Sequence, residues 1–161
     1  MIQRIQTVYL FFASLVLLLP LRLPFAVFSG PGGEATYKLF DTEFYRKDGS
    51  VLVSEPVLLS PILTVISIIG LLTGIFLYKK RKIQLATVYS MMFSQVAILA
   101  SFAVTIYQAN KSYLSEALGL EFSAAGSYGM AAPVLALLLT YLAARGIKKD
   151  EALVRSADRI R

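Results

Sequence analysis

Four long apolar segments alternate with polar segments along the 161-residue chain. The apolar segments cover residues 6–28, 57–78, 83–107 and 124–144. Each is long enough to cross a bilayer as a helix, which needs roughly 20 apolar residues. The second and third contain no Asp, Glu, Lys or Arg. Because a charge at the bilayer centre costs at least ~2.5 kcal/mol, this pattern predicts four transmembrane helices.

Only the run Lys79–Lys82 separates the second apolar segment from the third. Its four adjacent cations must stay in water, so they predict a tight turn, which the positive-inside rule assigns to the cytoplasm. Arg4, this turn and the residues after 144 together carry 11 cations, against 4 in the two other polar segments. The asymmetry predicts that the N- and C-termini are both cytoplasmic.

Residues 29–56 form the longest polar segment. Gly30–Gly33 interrupts any helix, whereas Thr36–Tyr45 and Ser50–Ser54 are rich in residues that favour strands. Between them, Asp48-Gly49 is a strong hairpin signal. The sequence therefore predicts an all-α membrane protein, a four-transmembrane-helix bundle, with two or three short strands in a small β-hairpin-containing loop outside the cytoplasm.

The first apolar segment follows Arg4, an arrangement that secretory signal peptides share. Ala26-Val27-Phe28 is a poor cleavage site because a bulky ring occupies a position that needs a small residue. We therefore expect a retained helix over residues 6–28, kinked or ended near Pro20. Arg22 is then a charge inside a span, which either has a function or snorkels to the outer headgroups.

Two of the predicted helices carry small or polar residues along one face. In the second, Gly70 and Gly74 are spaced so that a neighbouring backbone can approach closely. The third has a polar seam at helical spacing, with Gln95 beside it: Ser90, Ser94, Ser101 and Gln108. We expect this seam to pack helices through modest hydrogen bonds, and the alternative is that it lines a path for a solute.

The pattern of apolar and charged positions over residues 145–161 predicts an amphipathic helix. Its apolar residues recur at helical spacing, while cations that include Arg155 and Arg159 occupy other directions. Such a tail docks on a cytoplasmic partner, lies on anionic lipid, or continues the fourth helix into solvent.

The composition excludes several kinds of chemistry. The chain has no Cys and no His, so thiol catalysis, thiolate metal sites and imidazole chemistry are absent. Asp41 and Glu43 would share one face of a strand, but two exposed acids in a polar loop usually serve solubility. We therefore expect no enzyme activity, no catalytic residue, no cofactor and no metal site.

A formal net charge of +6 would suggest nucleic acid as the partner of a soluble protein. Here the cations flank apolar segments, so orientation in the membrane and anionic headgroups explain them better. The expected partners are the lipid bilayer and other membrane proteins or a second copy of this chain. The sequence identifies no nucleic acid partner and no small-molecule substrate.

Three stretches resemble an uncharacterised four-helix integral membrane family that is catalogued as a domain of unknown function and occurs mainly in one group of Gram-negative bacteria. They are Met1–Leu10, Leu77–Gln84 and Ile147–Arg161. The resemblance spans the whole chain and implies an inner-membrane location, but it carries no activity and no functional residue.

Our hypothesis from the sequence is a non-enzymatic accessory or scaffold subunit of the bacterial inner membrane, which contacts partners through its periplasmic loop and basic tail. The alternative is a small oligomeric transporter or channel lined by the polar seam of the third helix.

Overall fold

The computed structural model describes residues 2–46, 51–56, 58–111, 116 and 119–158, and it contains four α-helices and a five-stranded sheet within them. The helices are α1 (Ile2–Val16), α2 (Leu59–Phe76), α3 (Arg81–Asn110) and α4 (Ala131–Asp158). The strands are β1 (Ala26–Gly30), β2 (Gly33–Tyr37), β3 (Asp41–Arg46), β4 (Val51–Pro56) and β5 (Glu121–Ser123).

Three helical segments are long and apolar enough to cross a membrane: Leu59–Lys79, Arg81–Asn110 and Tyr128–Val154. In their most apolar stretches only 33%, 22% and 39% of the residues are buried inside the protein. Along much of the length of these helices, apolar side chains therefore face outward, and Phe93, for example, is 77% exposed. So large an exposed apolar surface is typical of a membrane or protein contact.

The helices pack side by side, with α1 against α2 and α4, and α3 against α2 and α4. The turn between α2 and α3 is tight, as the four cations predict, because a 3-10 helix at Leu77–Lys79 leads directly to the start of α3 at Arg81. The buried residues between the helices are aliphatic or small: Leu10, Ala13, Leu17, Leu71, Val88, Ala136, Ala143, Ala144 and Ile147.

The first helix ends near Pro20, one of the two outcomes expected from the sequence, and does not continue to residue 28. α1 ends at Val16, a 3-10 helix covers Leu19–Leu21, and Ala26–Gly30 is already a strand. Pro20 and Pro24 lack the N–H groups that a continuous helix needs. The apolar helical segment Ile5–Leu21 is shorter than the three long ones.

The sheet is antiparallel throughout, in the order β4-β3-β2-β1-β5. Its first four strands follow one another in the chain between α1 and α2. β5 comes from the connection between α3 and α4 and pairs with β1, where Phe28 lies opposite Phe122. Both polar connections on this side of the helices therefore join one sheet.

The prediction of an all-α fold with a small hairpin is wrong, because this five-stranded sheet makes the protein an α+β fold. A four-residue apolar run such as Phe25–Phe28 is compatible with a helix or a strand. Because it follows a longer apolar segment, the sequence pattern places it in the same predicted helix. The Asp48-Gly49 turn lies outside the described residues. The last helix continues without a break past residue 144, so the tail extends the fourth helix, one of the alternatives that the sequence left open.

The inner face of the sheet packs on the second half of α3. The rings of Phe25 and Phe102 are stacked in parallel, with centroids 4.1 Å apart. Phe28, Tyr37 and Phe44 form a row of edge-to-face contacts beside them. The same cluster buries Ile98 and Ala109 of α3, so the sheet is fixed to the helix by a continuous apolar core.

Candidate functional site

Cations gather at the end of the helices that lies away from the sheet. The exposed ones there are Lys79, Lys80, Lys82, Arg145, Lys148 and Lys149. These cations belong to two segments, the α2–α3 turn and α4. Arg81 joins the two segments, because its Nη1 donates to the backbone oxygen of Asp150, 2.9 Å away. The α2–α3 turn and the second half of α4 therefore form one basic end of the protein.

A buried polar cluster lies inside this basic end, and we call Gln6, Arg81, Gln84 and Asp150 the end cluster. Gln6 Nε2 donates to Asp150 Oδ2 over 2.6 Å, and these residues are only 5% and 7% exposed. Gln84 Nε2 donates to the backbone oxygen of Gly74 at 2.9 Å. Since buried polar groups are costly without partners, these bonds join α1 to α4 and α2 to α3 at this end of the protein.

The end cluster joins the three stretches that carry the family resemblance. Met1–Leu10 supplies Gln6, Leu77–Gln84 supplies Arg81 and Gln84, and Ile147–Arg161 supplies Asp150. The cavity between them is about 10 Å³, roughly the room for one water molecule. The arrangement therefore fastens helices and leaves no room for a substrate.

The close contact of α1 with α4 also needs a glycine that the sequence analysis did not single out. A Cβ at Gly146 would lie 2.8 Å from Cγ of Gln6. Gln6 and Asp150, which also meet in this contact, are 144 positions apart in the chain. No local sequence pattern therefore reveals the contact. The available signal was that Asp150 interrupts an apolar face at helical spacing with Ala143, Ile147 and Val154.

We expect Gln6→Ala to lower the free energy of unfolding by about 1.5–3 kcal/mol, because it removes a hydrogen bond to a buried carboxylate. In the double variant with Asp150→Ala, the loss should be smaller than the sum of the two single losses. Ser14→Ala is the matched control in α1, since Ser14 Oγ bonds only its own helix at Phe11. Denaturant unfolding followed by circular dichroism measures all four variants, and strictly additive losses would contradict the cluster.

The polar seam predicted on α3 is divided by the structure. Ser94 is buried against α2, where it accepts a hydrogen bond from Ser67 Oγ at 2.8 Å and contacts the Leu63 carbonyl at 3.4 Å. Gln95, which is 0% exposed, donates through Nε2 to Thr140 Oγ1 on α4 at 3.0 Å. The two neighbouring residues therefore link α3 to opposite partners.

The rest of the seam makes no such links. Ser90 and Ser101 donate to backbone oxygens of their own helix, at Ala86 and Ile98, and Gln108 is exposed. Gln95 Oε1 is buried without a hydrogen-bond partner among the described residues. The seam thus contributes two packing contacts and does not form a continuous polar face.

The two glycines of α2 occupy different contacts. A Cβ at Gly70 would lie 2.0 Å from Sδ of Met91, so the Met91 side chain of α3 packs directly on this glycine. A Cβ at Gly74 would meet Leu10 of α1 at an ordinary 3.6 Å. The contact at Gly70 is therefore with a side chain of α3, and the close approach of a neighbouring backbone stays a prediction.

The predicted cationic residues lie apart from one another. Arg22 is exposed at the end of a 3-10 helix, next to the sheet, and so it is not inside a helix as expected. Arg155 belongs to α4, and Arg159 lies outside the described residues.

A charged group lies on the outer face of the sheet. Lys38 Nζ and Glu43 Oε2 are 2.5 Å apart, and the Tyr45 hydroxyl donates to the same oxygen. The hydrogen bond from Lys38, followed by that from Tyr45, lowers the pKa of Glu43. Bonding to Glu43 in turn raises the pKa of Lys38 and of Tyr45. At neutral pH the pair is therefore an ion pair.

This geometry leaves Asp41 and Glu43 without a shared role. Glu43 is bound by Lys38 and Tyr45, whereas Asp41 Oδ1 is buried with no hydrogen-bond partner in the described part of the chain. Within that part, no group of three or more Asp, Glu, Cys or His residues is placed to hold a metal ion.

A family profile described as a domain of unknown function, DUF4293, matches residues 2–160. The chain belongs to the DUF4293 family. This confirms the resemblance to an uncharacterised family that the three stretches carry. No protein of curated function matches the sequence.

Proposed function

We propose that this DUF4293 protein is an integral membrane scaffold without enzymatic activity, inserted in the bacterial inner membrane. Its helices anchor it, its sheet offers a contact surface outside the cytoplasm, and its basic end lies inside. The observation that carries the proposal is the separation of the two ends: the sheet is fixed to one end of the apolar helices and the exposed cations gather at the other.

Charge and length support this orientation. α3 has 30 residues and is therefore about 45 Å long, enough to cross a hydrocarbon core of roughly 30 Å with a turn or two to spare at each end. The exposed lysines flank its start, and the sheet covers its end. Cations close to a membrane-spanning helix favour the cytoplasmic side.

The polar residues of the helices support a scaffold over a transporter. Ser94 and Gln95 are engaged with Ser67 and Thr140 in helix contacts, and Ser90 and Ser101 bond their own helix. The cavity of the end cluster has room for about one water molecule. A solute path needs a run of polar groups open to water, and the seam of this chain offers none.

The outer face of the sheet is the first of two proposed contact surfaces. It presents Tyr45, a residue type enriched in protein interfaces, beside the Lys38–Glu43 ion pair. The second surface is the end of α4, where Leu153 and Val154 are exposed beyond the basic end.

Cysteine labelling separates the scaffold from the transporter, because the chain has no Cys of its own. We expect Ser94→Cys to remain unmodified by a membrane-impermeant maleimide in membranes, since Ser94 is buried against Ser67. Phe40→Cys, in the exposed connection between β2 and β3, is the reactive control. Modification of Ser94→Cys at a rate near that of the control would favour a water-filled path and defeat the scaffold.

A further inference from the structure

An open apolar groove of about 530 Å³ runs along the second half of α3, beneath the sheet. One face of the helix forms its wall, with Leu99, Phe102, Ala103 and Ile106, and the aromatic rings of Phe28 and Phe122 cover it from the sheet. Phe122 is exposed although it is apolar, because the groove is open on one side. Its size falls within the usual range for a small-molecule site, roughly 300–1,000 Å³.

The groove has the length of one membrane leaflet. From Leu99 to Asn110 the helix rises about 16 Å, and half of a hydrocarbon core is about 15 Å. The deep end, at Leu99, is apolar. The groove therefore offers an apolar surface from the level of the headgroups to the middle of the bilayer.

The shallow end of the groove is polar and positive. Tyr107 and Asn110 line it, and the ammonium of Lys111 donates to the Tyr107 hydroxyl at 2.5 Å and lies 4.5 Å from the centre of its ring. Both Tyr107 and Lys111 are exposed, so the cation is accessible from outside. An anionic oxygen at this point would meet the Lys111 ammonium and the Asn110 carboxamide.

We propose that the groove binds one phospholipid of the leaflet on the sheet side, with an acyl chain along α3 and the phosphate at Lys111. This inference rests on the proposed insertion in the membrane. Two features select the ligand. The apolar length of the groove matches a leaflet, and the Lys111 ammonium, bonded to the lining residue Tyr107, lies at the end where the phosphate of a lipid in that leaflet lies. An apolar helix of a second copy could also fill the length of the groove, but it would bring no anionic group to the Lys111 ammonium.

Fluorescence quenching by brominated lipids tests the site, because the chain has no Trp and any introduced one reports alone. The reporter is Phe122→Trp in the groove, and Phe93→Trp on the lipid-facing side of the same helix is the control. Leu99→Trp at the deep end is a second reporter if the first variant does not fold. The full-length protein is reconstituted in phosphatidylcholine vesicles with increasing brominated phosphatidylglycerol.

At the groove reporters we expect a relative binding constant of roughly three- to fivefold in favour of phosphatidylglycerol, the effect of one cation near an anionic headgroup. The control should show a ratio near one. Adding Lys111→Gln should return the groove ratio to about one without changing the control. Because Lys111 lies outside the sheet core, this change should leave the fold intact.

Three results would overturn the lipid site: equal ratios at the groove and the control, a groove ratio that ignores Lys111→Gln, or weak quenching at the groove with full quenching at the control. The last would mean that a second copy or another protein covers the groove. If Phe93→Trp itself escapes quenching, the helices are not in the bilayer, and the proposed function fails with the lipid site.

Discussion

Replacing Phe102 with alanine should lower the free energy of unfolding by about 3–5 kcal/mol, the usual cost of removing a buried aromatic ring. Phe102 is 1% exposed, and its ring is stacked on that of Phe25. The stacked pair lies in the core that holds the sheet on α3. Its loss leaves a cavity between backbone elements that cannot close together, so the sheet should detach before the helices separate.

Phe93→Ala is the matched control, because it removes the same side chain from the same helix. Phe93 is 77% exposed and belongs neither to the core between the sheet and α3 nor to the core between the helices. Its replacement should change the free energy of unfolding by less than about 0.5 kcal/mol, as surface substitutions do. Chemical unfolding in detergent or bicelles, followed by circular dichroism, measures both. Equal losses for the two variants would show that the sheet is not anchored through Phe102.

Gly129→Ala should be nearly as damaging, for a different reason. A Cβ at this position would lie 2.7 Å from the backbone oxygens of Leu23 and Pro24, and the Gly129 N–H donates to the Pro24 oxygen at 2.8 Å. This contact brings the start of α4 against the chain between α1 and β1. Since backbone atoms cannot move aside as a side chain tip does, we expect a loss of about 3 kcal/mol, the upper end of overpacking costs.

Gly74→Ala provides the comparison, and we expect the opposite sign. Its Cβ would meet Leu10 at 3.6 Å, an ordinary contact, and alanine is favoured over glycine in a helix by about 1 kcal/mol. Thermal unfolding of the two variants in one detergent gives both effects. A stabilising Gly129→Ala would mean that the close contact at Leu23 and Pro24 does not form.

The features that the sequence predicted well are those set by long uniform runs. α2 and α3 follow from apolar segments without a charge, and the turn between them follows from Lys79–Lys82. The sheet was underestimated because its parts are short or separated. β1 begins in a four-residue apolar run after Pro24, and β5 has three residues and comes from a different connection. Pairing between such distant segments leaves no local pattern.

The site residues show the same division. The spacing of Gly70 and Gly74 has a local pattern in the sequence, and the Met91 side chain of α3 packs on Gly70. Gln6 and Asp150 were missed because their contact joins the first helix to the last. Arg22 falls inside a predicted span only if the apolar run around it is one continuous helix. Pro20 and Pro24, which flank Arg22, argue against a continuous helix there.

The most direct test of the membrane account is the accessibility of its two ends in intact cells. Phe40→Cys marks the sheet, and Lys82→Cys marks the exposed turn between α2 and α3. A membrane-impermeant maleimide, applied to cells with a permeabilised outer membrane, should modify Phe40→Cys at once and Lys82→Cys only after the inner membrane is opened. Modification of both before opening, or of Lys82→Cys alone, would contradict a protein that crosses the membrane with its sheet outside and its cations inside.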